Sequence, residues 1–171
     1  MYPSARRVPD LFSGTGHALF ADIWKSNPWT AAYRADDVAP SERPVGWLSG
    51  SCLLLRRAAF DSVDGFDSRY FMYMEDVDLG DRLGKAGWLN VYVPSAVIVH
   101  TKGHSAGKNP ELMLPAHHRS AYRFQADRNP GVLRAPLRLA LRAGLALRSK
   151  VAVRAARRAL DQESYLTGDE R

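Results

Sequence analysis

Residues 51–100 alternate short apolar runs with stretches of helical periodicity. The apolar runs predict three strands: Ser51–Leu55, Leu89–Val93 and Ala96–His100. The periodic stretches predict two helices, Arg57–Val63 and Glu75–Ala86, with Gly87 closing the second. Alternation of strands and helices is typical of an α/β or α+β layer, so we expect one α/β domain followed by a tail.

The sequence predicts different structures before and after this segment. Residues 1–45 are rich in proline and glycine and predict loops, with one short helix at Gly16–Trp24. Downstream, Glu111–Asp127 predicts a helix, and Leu133–Leu160 predicts a long basic helical region. The basic side chains of that region change face along its length, which favours two amphipathic helices with a break near Gly144.

Charge is distributed unevenly along the chain. Residues 1–99 carry a net charge of −2, residues 100–160 carry +11, and residues 161–171 carry −3. The basic stretch favours an anionic partner such as a nucleotide, a diphosphate or a membrane surface. A basic helix rich in leucine suits an anionic membrane, although a solvated helix packed on the domain is the alternative. No nucleic acid partner is predicted, because no aromatic or glycine-rich RNA motif accompanies the basic residues.

The segment from Glu75 to Asp81 holds four carboxylates in seven residues. Helical spacing divides them between two faces. One face holds Glu75, Asp78, Arg82 and Lys85, and is expected to be a solvated surface with ordinary ion pairs spaced i,i+4. The other face places Asp76 in line with the apolar residues Leu79 and Leu83.

Asp76 therefore points towards the core side at the start of the helix. A helix N-terminus favours negative charge, so a structural capping role explains this residue without any chemistry. The alternative is a general base, which must lie within reach of a hydroxyl and be sheltered from water.

Two metal-binding patterns in this segment are rejected. Asp76-Val77-Asp78 spells D-x-D, but residues i and i+2 of a helix diverge by about 200° and do not easily grip one ion. A calcium loop of the EF-hand type needs acidic ligands spread over about twelve residues, with glycine at the sixth, and this segment does not show that pattern.

Histidine and cysteine residues give weaker signals. His100 ends an apolar run and suits Mn²⁺ or Mg²⁺ only if carboxylates lie beside it, and His104 follows a glycine. The run His117–Arg119 is interpreted as a solvated helix surface or as a phosphate contact. Cys52, the only cysteine, is expected to be a buried, reduced thiol.

Several runs, taken together, resemble the acceptor-side half of the family-2 inverting glycosyltransferases, and most specifically so between Gly46 and Trp88. They are Gly46–Arg57, Phe60, Gly65–Asp67, Phe71–Leu79, Arg82–Leu83, Gly87–Trp88, Val99–His100 and His118–Arg119. Within that family, the resemblance is to the rhamnosyltransferases that build the linker of the actinobacterial cell wall. It covers roughly residues 1–150.

The resemblance implies a GT-A fold, with residues 1–128 as the C-terminal, acceptor-side part of the catalytic domain. Residues 129–171 would form a basic helical tail at the membrane. The reaction implied is transfer of L-rhamnose, with inversion, from dTDP-rhamnose to a polyprenyl-diphosphate-linked N-acetylglucosamine. Asp76 matches the catalytic base, Glu75 belongs to the same acidic pair, and His100 matches a metal ligand of some relatives. Residues implied to bind substrate are Trp47, Gly50, Ser51, Arg82, His118 and Arg119.

The N-terminal half of the family, which carries the nucleotide pocket and the D-x-D motif, is not matched. Asp36-Asp37 is the only other acidic pair upstream and is a poor substitute. The resemblance thus implies a Mg²⁺ or Mn²⁺ ion whose D-x-D ligands are absent, a separate N-terminal half as partner, and an exposed sheet edge. It implies a peripheral location on the cytoplasmic side of the cell membrane. The alternative function is a non-catalytic fragment that binds a polyprenyl-diphosphate lipid or an anionic membrane surface.

Overall fold

The computed structural model describes residues 4–10, 41–100 and 109–167. The helix predicted at Gly16–Trp24, the Asp36-Asp37 pair and His104 lie outside these residues. The described part forms two compact units. The first comprises the residues up to Tyr70 together with Met74–His100, and the second comprises Phe71–Tyr73 together with the helices that follow residue 108. The division falls near residue 100, whereas the resemblance implies a boundary at residue 128.

The described residues of the first unit form four short strands, which pair in twos. They are β1 (Ala5–Arg6), β2 (Arg43–Val45), β3 (Trp47–Leu48) and β4 (Asn90–Tyr92). β1 pairs antiparallel with β3, with Ala5 opposite Leu48. β2 pairs antiparallel with β4, with Pro44 opposite Val91. The strand predicted at residues 89–93 is therefore confirmed as β4.

The described residues of the first unit also form two helices, and both confirm the sequence prediction. They are α1 (Arg57–Ser62) and α2 (Glu75–Lys85). Leu79 and Leu83 of α2 are almost fully buried and form the core with Ala59 of α1. After α2 the chain turns at Gly87 with φ +88°, a conformation that glycine adopts without strain.

The other two predicted strands are wrong. Residues 51–55 and 96–100 belong to neither sheet, and Leu54 and Val99 are completely or almost completely exposed. A strand needs a backbone partner, and no backbone hydrogen bond in the described part of the chain reaches Leu53–Leu55. Cys52 is exposed, so the expectation of a buried thiol is wrong.

The second unit is helical. It contains α3 (Pro110–Arg128), a 3₁₀ turn (Val132–Arg134) and α4 (Ala135–Thr167). α3 confirms the predicted helix and packs against α4, with Phe124 fully buried. The predicted break at Gly144 is wrong, because α4 continues through it. One glycine costs a helix only about 1 kcal/mol, which packing against α3 offsets.

The described residues thus combine helices with short strands, in agreement with the predicted α/β class. None of the helices that they form is both long enough and apolar enough to cross a membrane.

Candidate active site

Asp76 is fixed by two backbone hydrogen bonds. Its Oδ2 accepts the N–H of Gly50 at 2.8 Å, and its Oδ1 accepts the N–H of Val77 at 2.8 Å. The second bond satisfies one of the free N–H groups at the start of α2, as a capping carboxylate would. The first joins the helix to a turn 26 residues earlier in the chain. A carboxylate offers about four acceptor positions, so these two bonds orient Asp76 and leave it able to accept a further hydrogen bond.

The backbone immediately before the acidic pair is unusual. Tyr73 and Met74 both adopt left-handed conformations, with φ of 64° and 70°. Met74 precedes α2 directly, and its side chain makes no capping hydrogen bond to the helix. Two consecutive non-glycine residues in this region are costly, and such strain concentrates at functional sites. The left-handed conformation of these two residues sets where α2 begins, and hence places Glu75 and Asp76 in its first turn.

A cavity of about 480 Å³ opens beside Asp76 in the first unit. Its lining includes the polar residues Ser49, Ser51 and Asn90 and the apolar residues Leu79 and Leu83, among others. A carboxylate at the edge of such a cavity has the chemistry to receive a proton from a bound hydroxyl, and apolar lining residues limit the access of water.

Glu75 lies in a different environment from Asp76. Its Oε2 is buried, with no hydrogen-bond partner among the described residues. Burial, reinforced by the neighbouring charge of Asp76, raises the pKa of Glu75 above its ordinary value. The expectation that Glu75 is a solvated surface residue is therefore wrong: α2 begins half-buried, and its first carboxylate is partly shielded from water.

The ion pair between Asp78 and Arg82 also differs from the expected solvated pair. Asp78 is buried, and its Oδ2 accepts from Arg82 Nε at 2.7 Å. The other two guanidinium nitrogens of Arg82 donate to the carbonyls of Val63 and Gly65. Arg82 thus links α2 to the turn that follows α1 through all three guanidinium nitrogens. The implied role of Arg82 in substrate binding stays a prediction.

Three further residues implied to bind substrate belong to this unit. Trp47 is buried, and its indole N–H donates to the carbonyl of Arg7 at 2.9 Å, so the structure gives it a packing role. Gly50 is exposed and holds Asp76, as described above. Ser51 is half-buried and lines the cavity.

The remaining two substrate-binding candidates, His118 and Arg119, lie on α3 in the second unit. His118 is buried, and its Nδ1 lies 2.7 Å from the carbonyl of Leu114, to which only a protonated nitrogen can donate. The interpretation as a solvated surface residue is wrong for His118, whereas Arg119 is exposed. On the same helix, His117 packs edge-on against Tyr73, with ring centroids 5.0 Å apart.

The described residues do not form a metal site. His100 is exposed, and no group of three or more histidine, cysteine or acidic side chains comes together in residues 4–10, 41–100 and 109–167. His100 without such companions does not suffice for Mg²⁺ or Mn²⁺, which prefer several oxygen ligands.

Sequence reasoning missed the role of Asn90. Its Nδ2 donates to the carbonyls of Gly46 and Gly80, at 3.0 and 2.9 Å, and its side chain lines the cavity next to α2. The sequence carries no signal for this contact, because an asparagine at the start of a strand looks like an ordinary turn residue. The hydrogen bond between Gly50 and Asp76 was also missed, because it joins residues 26 positions apart, which no local pattern encodes.

Comparison with known proteins gives close matches. The chain is 63% identical over 158 residues to the N-acetylglucosaminyl-diphospho-decaprenol L-rhamnosyltransferase of Mycobacterium tuberculosis, strains CDC 1551 and H37Rv. That match covers 92% of this chain and 52% of the relative. Rhamnosyltransferase WbbL of Escherichia coli K12 is 38% identical over 86 residues, which cover 50% of this chain and 33% of that protein.

No protein-family model and no solved structure matches the chain. The chain spans about half the length of the mycobacterial relatives. At 63% identity over nearly the whole chain, the resemblance to rhamnosyltransferases that the sequence predicts is confirmed.

Proposed function

We propose that this chain is the acceptor-side part of an inverting rhamnosyltransferase. In this proposal it transfers L-rhamnose from dTDP-rhamnose to a polyprenyl-diphosphate-linked N-acetylglucosamine during cell-wall assembly, within a GT-A fold. The observation that carries the proposal is Asp76, held by the N–H groups of Gly50 and Val77 at the wall of a 480 Å³ cavity. The 63% identity to a rhamnosyltransferase that acts on decaprenol-linked N-acetylglucosamine supports the choice of substrates.

In the proposed reaction, the acceptor hydroxyl oxygen attacks the anomeric carbon of the donor sugar. A C–O bond to the acceptor forms while the C–O bond to the diphosphate breaks, and the nucleoside diphosphate leaves with the bonding pair. The proton of the hydroxyl passes to Asp76. Its fixed orientation favours this transfer, because a base held by two backbone donors does not have to be repositioned as the reaction proceeds.

In this proposal, the donor half of the site belongs to the part of the relatives that this chain does not match, as the resemblance to the family implies. We therefore include in the proposal a separate or upstream N-terminal half, which would supply the nucleotide pocket. It would also supply the oxygen ligands for a divalent cation, Mg²⁺ or Mn²⁺, because the described residues do not form a metal site. The proposed location is the cytoplasmic face of the membrane, where a lipid-linked acceptor is presented.

The test is sugar transfer by the full chain, alone and mixed with the unmatched part of the mycobacterial relative. The mixture contains dTDP-rhamnose, Mg²⁺ or Mn²⁺ and a short-chain polyprenyl-diphospho-N-acetylglucosamine, and mass spectrometry follows the lipid product. Asp76→Asn should reduce transfer by at least about 100-fold, because general-base catalysis contributes about 10²–10⁴-fold.

Asp64→Asn is the matched control, since Asp64 is exposed and asparagine tolerates its left-handed backbone. The control should transfer like the unchanged chain. Normal transfer by a folded Asp76→Asn chain would mean that Asp76 caps the helix and is not the catalytic base. Lipid binding without transfer under any of these conditions would favour the non-catalytic alternative.

A further inference from the structure

The exposed surface of α4 carries apolar side chains where a solvated helix would carry polar ones. Leu139, Leu147 and Val151 are 68%, 66% and 56% exposed, and Val132 and Leu133, just before the helix, are 87% and 98% exposed. At 100° per residue, Leu139, Leu147 and Val151 fall within one third of the helix circumference. The opposite face, around Leu141 and Leu145, is half-buried, and α4 packs against α3. α4 is therefore apolar on two sides, and packing within the second unit covers one of them.

Basic residues continue the same outer face towards the C-terminal end. Arg154 and Arg158 lie seven and eleven positions after Leu147, on the same side of the helix, and Lys150 is next to them. Arg142, Lys150, Arg154 and Arg158 are exposed and make no ion pair with any described residue. By contrast, Arg157 is paired with Glu111 at 2.5 Å, and Arg138 donates to the carbonyls of Asn129 and Gly131.

The sequence of α4 from residue 135 to 160 contains seven Lys/Arg and no Asp/Glu. Within this stretch no i,i+4 ion pair of the kind that usually stabilises a solvated surface is possible, because the acidic residues of α4, Asp161 and Glu163, come only after it. Unpaired cations beside exposed leucine and valine complement a surface that is negatively charged and apolar just beneath. An anionic lipid bilayer has this combination, and neither a free phosphate nor a folded acidic protein presents it over such a length.

We propose that the outer face of α4, with Val132 and Leu133, binds an anionic membrane surface. The helix would lie in the interface, with Leu139, Leu147 and Val151 among the lipid headgroups and Arg154 and Arg158 against lipid phosphates. This inference rests on the proposed function only in giving the lipid-linked acceptor a membrane at which to meet the enzyme. The surface itself is a property of α4.

The test is co-sedimentation of the full chain with vesicles of phosphatidylcholine, with and without phosphatidylglycerol, and without sugar donor or acceptor. We expect binding to the anionic vesicles that weakens as salt is raised. R154E/R158E should weaken it by about tenfold or more, because each basic residue near an anionic surface contributes substantially to binding. L139Q/L147Q should weaken it as well, through loss of apolar burial, with little change in salt dependence.

Matched controls come from the first unit. R56E/R57E makes the same change in charge, and Leu89→Gln removes an exposed leucine, with Leu89 73% exposed. Both controls should bind like the unchanged chain, and helical circular dichroism checks that each variant is folded. Absence of binding to anionic vesicles, or equal losses in the controls and the α4 variants, would overturn the proposal.

A polypeptide is the competing occupant of this face. Adding the unmatched part of the mycobacterial relative should restore transfer and leave vesicle binding intact. If it instead protects α4 from hydrogen exchange and abolishes vesicle binding, the face is a protein interface and the proposal fails. Vesicle binding by a chain that never transfers rhamnose would leave this inference standing while the proposed function fails.

Discussion

At the scale of single residues, the neighbouring carboxylates Glu75 and Asp76 of α2 lie in different environments. Asp76 accepts two backbone N–H bonds at the wall of a cavity, whereas Glu75 has a buried oxygen without a partner. The side chains of adjacent residues on a helix point about 100° apart, so the step from Glu75 to Asp76 is enough to place them in different surroundings. Helical spacing placed Asp76 on the core side correctly. It wrongly predicted that Glu75 is exposed to solvent, because helical spacing predicts the direction in which a side chain points but not how deeply the helix is buried.

Glu75 should make stability depend on pH. Its pKa is raised in the folded state, so the folded chain holds this proton to a higher pH than the unfolded chain does. The free energy of unfolding therefore falls as pH rises from the ordinary value of 4.5 through the raised pKa. Glu75→Gln removes this loss, so its stability relative to the unchanged chain should be greater at neutral pH than at the acidic end.

Urea unfolding at both pH values, followed by tryptophan fluorescence, measures this difference. Trp47 and Trp88 report on the first unit. Glu42→Gln is the control, because Glu42 is exposed. A gain in stability from Glu75→Gln that is the same at both pH values would contradict the shifted titration.

At the scale of elements, α2 lies close against β3 because its contact residue has no side chain. A Cβ placed on Gly80 would lie 2.6 Å from the Cβ of Trp47 and 3.0 Å from its Cα. A Cβ on Gly84, one turn later, would meet nothing within 4 Å. The two glycines have the same helical environment in sequence, and only the packing distinguishes them.

Gly80→Ala should therefore destabilise the chain by about 1–3 kcal/mol, because helix and strand must move apart. Gly84→Ala should stabilise it by up to about 1 kcal/mol, since alanine favours the helix and the position is open. Thermal or urea unfolding of the two variants measures the pair directly. Equal effects of the two substitutions would mean that α2 does not approach Trp47 this closely.

At the scale of the whole molecule, two segments with strand-forming sequences have no strand partner among the described residues. Residues 51–55 have the composition of a buried strand, yet Leu54 is fully exposed and belongs to no sheet. Val97–Val99 are exposed in the same way. An apolar extended segment with free backbone groups is a ready template for pairing with another strand.

Mixing this chain with the unmatched part of the mycobacterial relative should slow amide hydrogen exchange in Leu53–Leu55 and Val97–Val99. Pairing into a sheet protects N–H groups that are otherwise open to water. Amides in the middle of α2 serve as the internal control, because they are already hydrogen-bonded. Unchanged exchange in both segments, under conditions where rhamnose transfer is restored, would show that the two parts associate elsewhere.

The sequence by itself determined what depends on local chemistry. Periodicity and the placement of glycine predict the helices α1, α2 and α3, the strand β4 and the turn at Gly87. They also predict that Asp76 points to the core side of α2. Motifs between Gly46 and Trp88 were enough to identify the resemblance to rhamnosyltransferases. Each of these inferences uses residues close together in the chain, where spacing fixes geometry.

Tertiary structure alone decided what depends on residues far apart in the chain. The bond from Gly50 to Asp76, the links from Asn90 to Gly46 and Gly80, and the burial of Asp78 and His118 come from contacts that no local pattern encodes. The lack of a strand partner for residues 51–55 among the described residues is of the same kind. A strand is completed by hydrogen bonds to another segment, so its own sequence predicts the tendency to pair but not the presence of a partner.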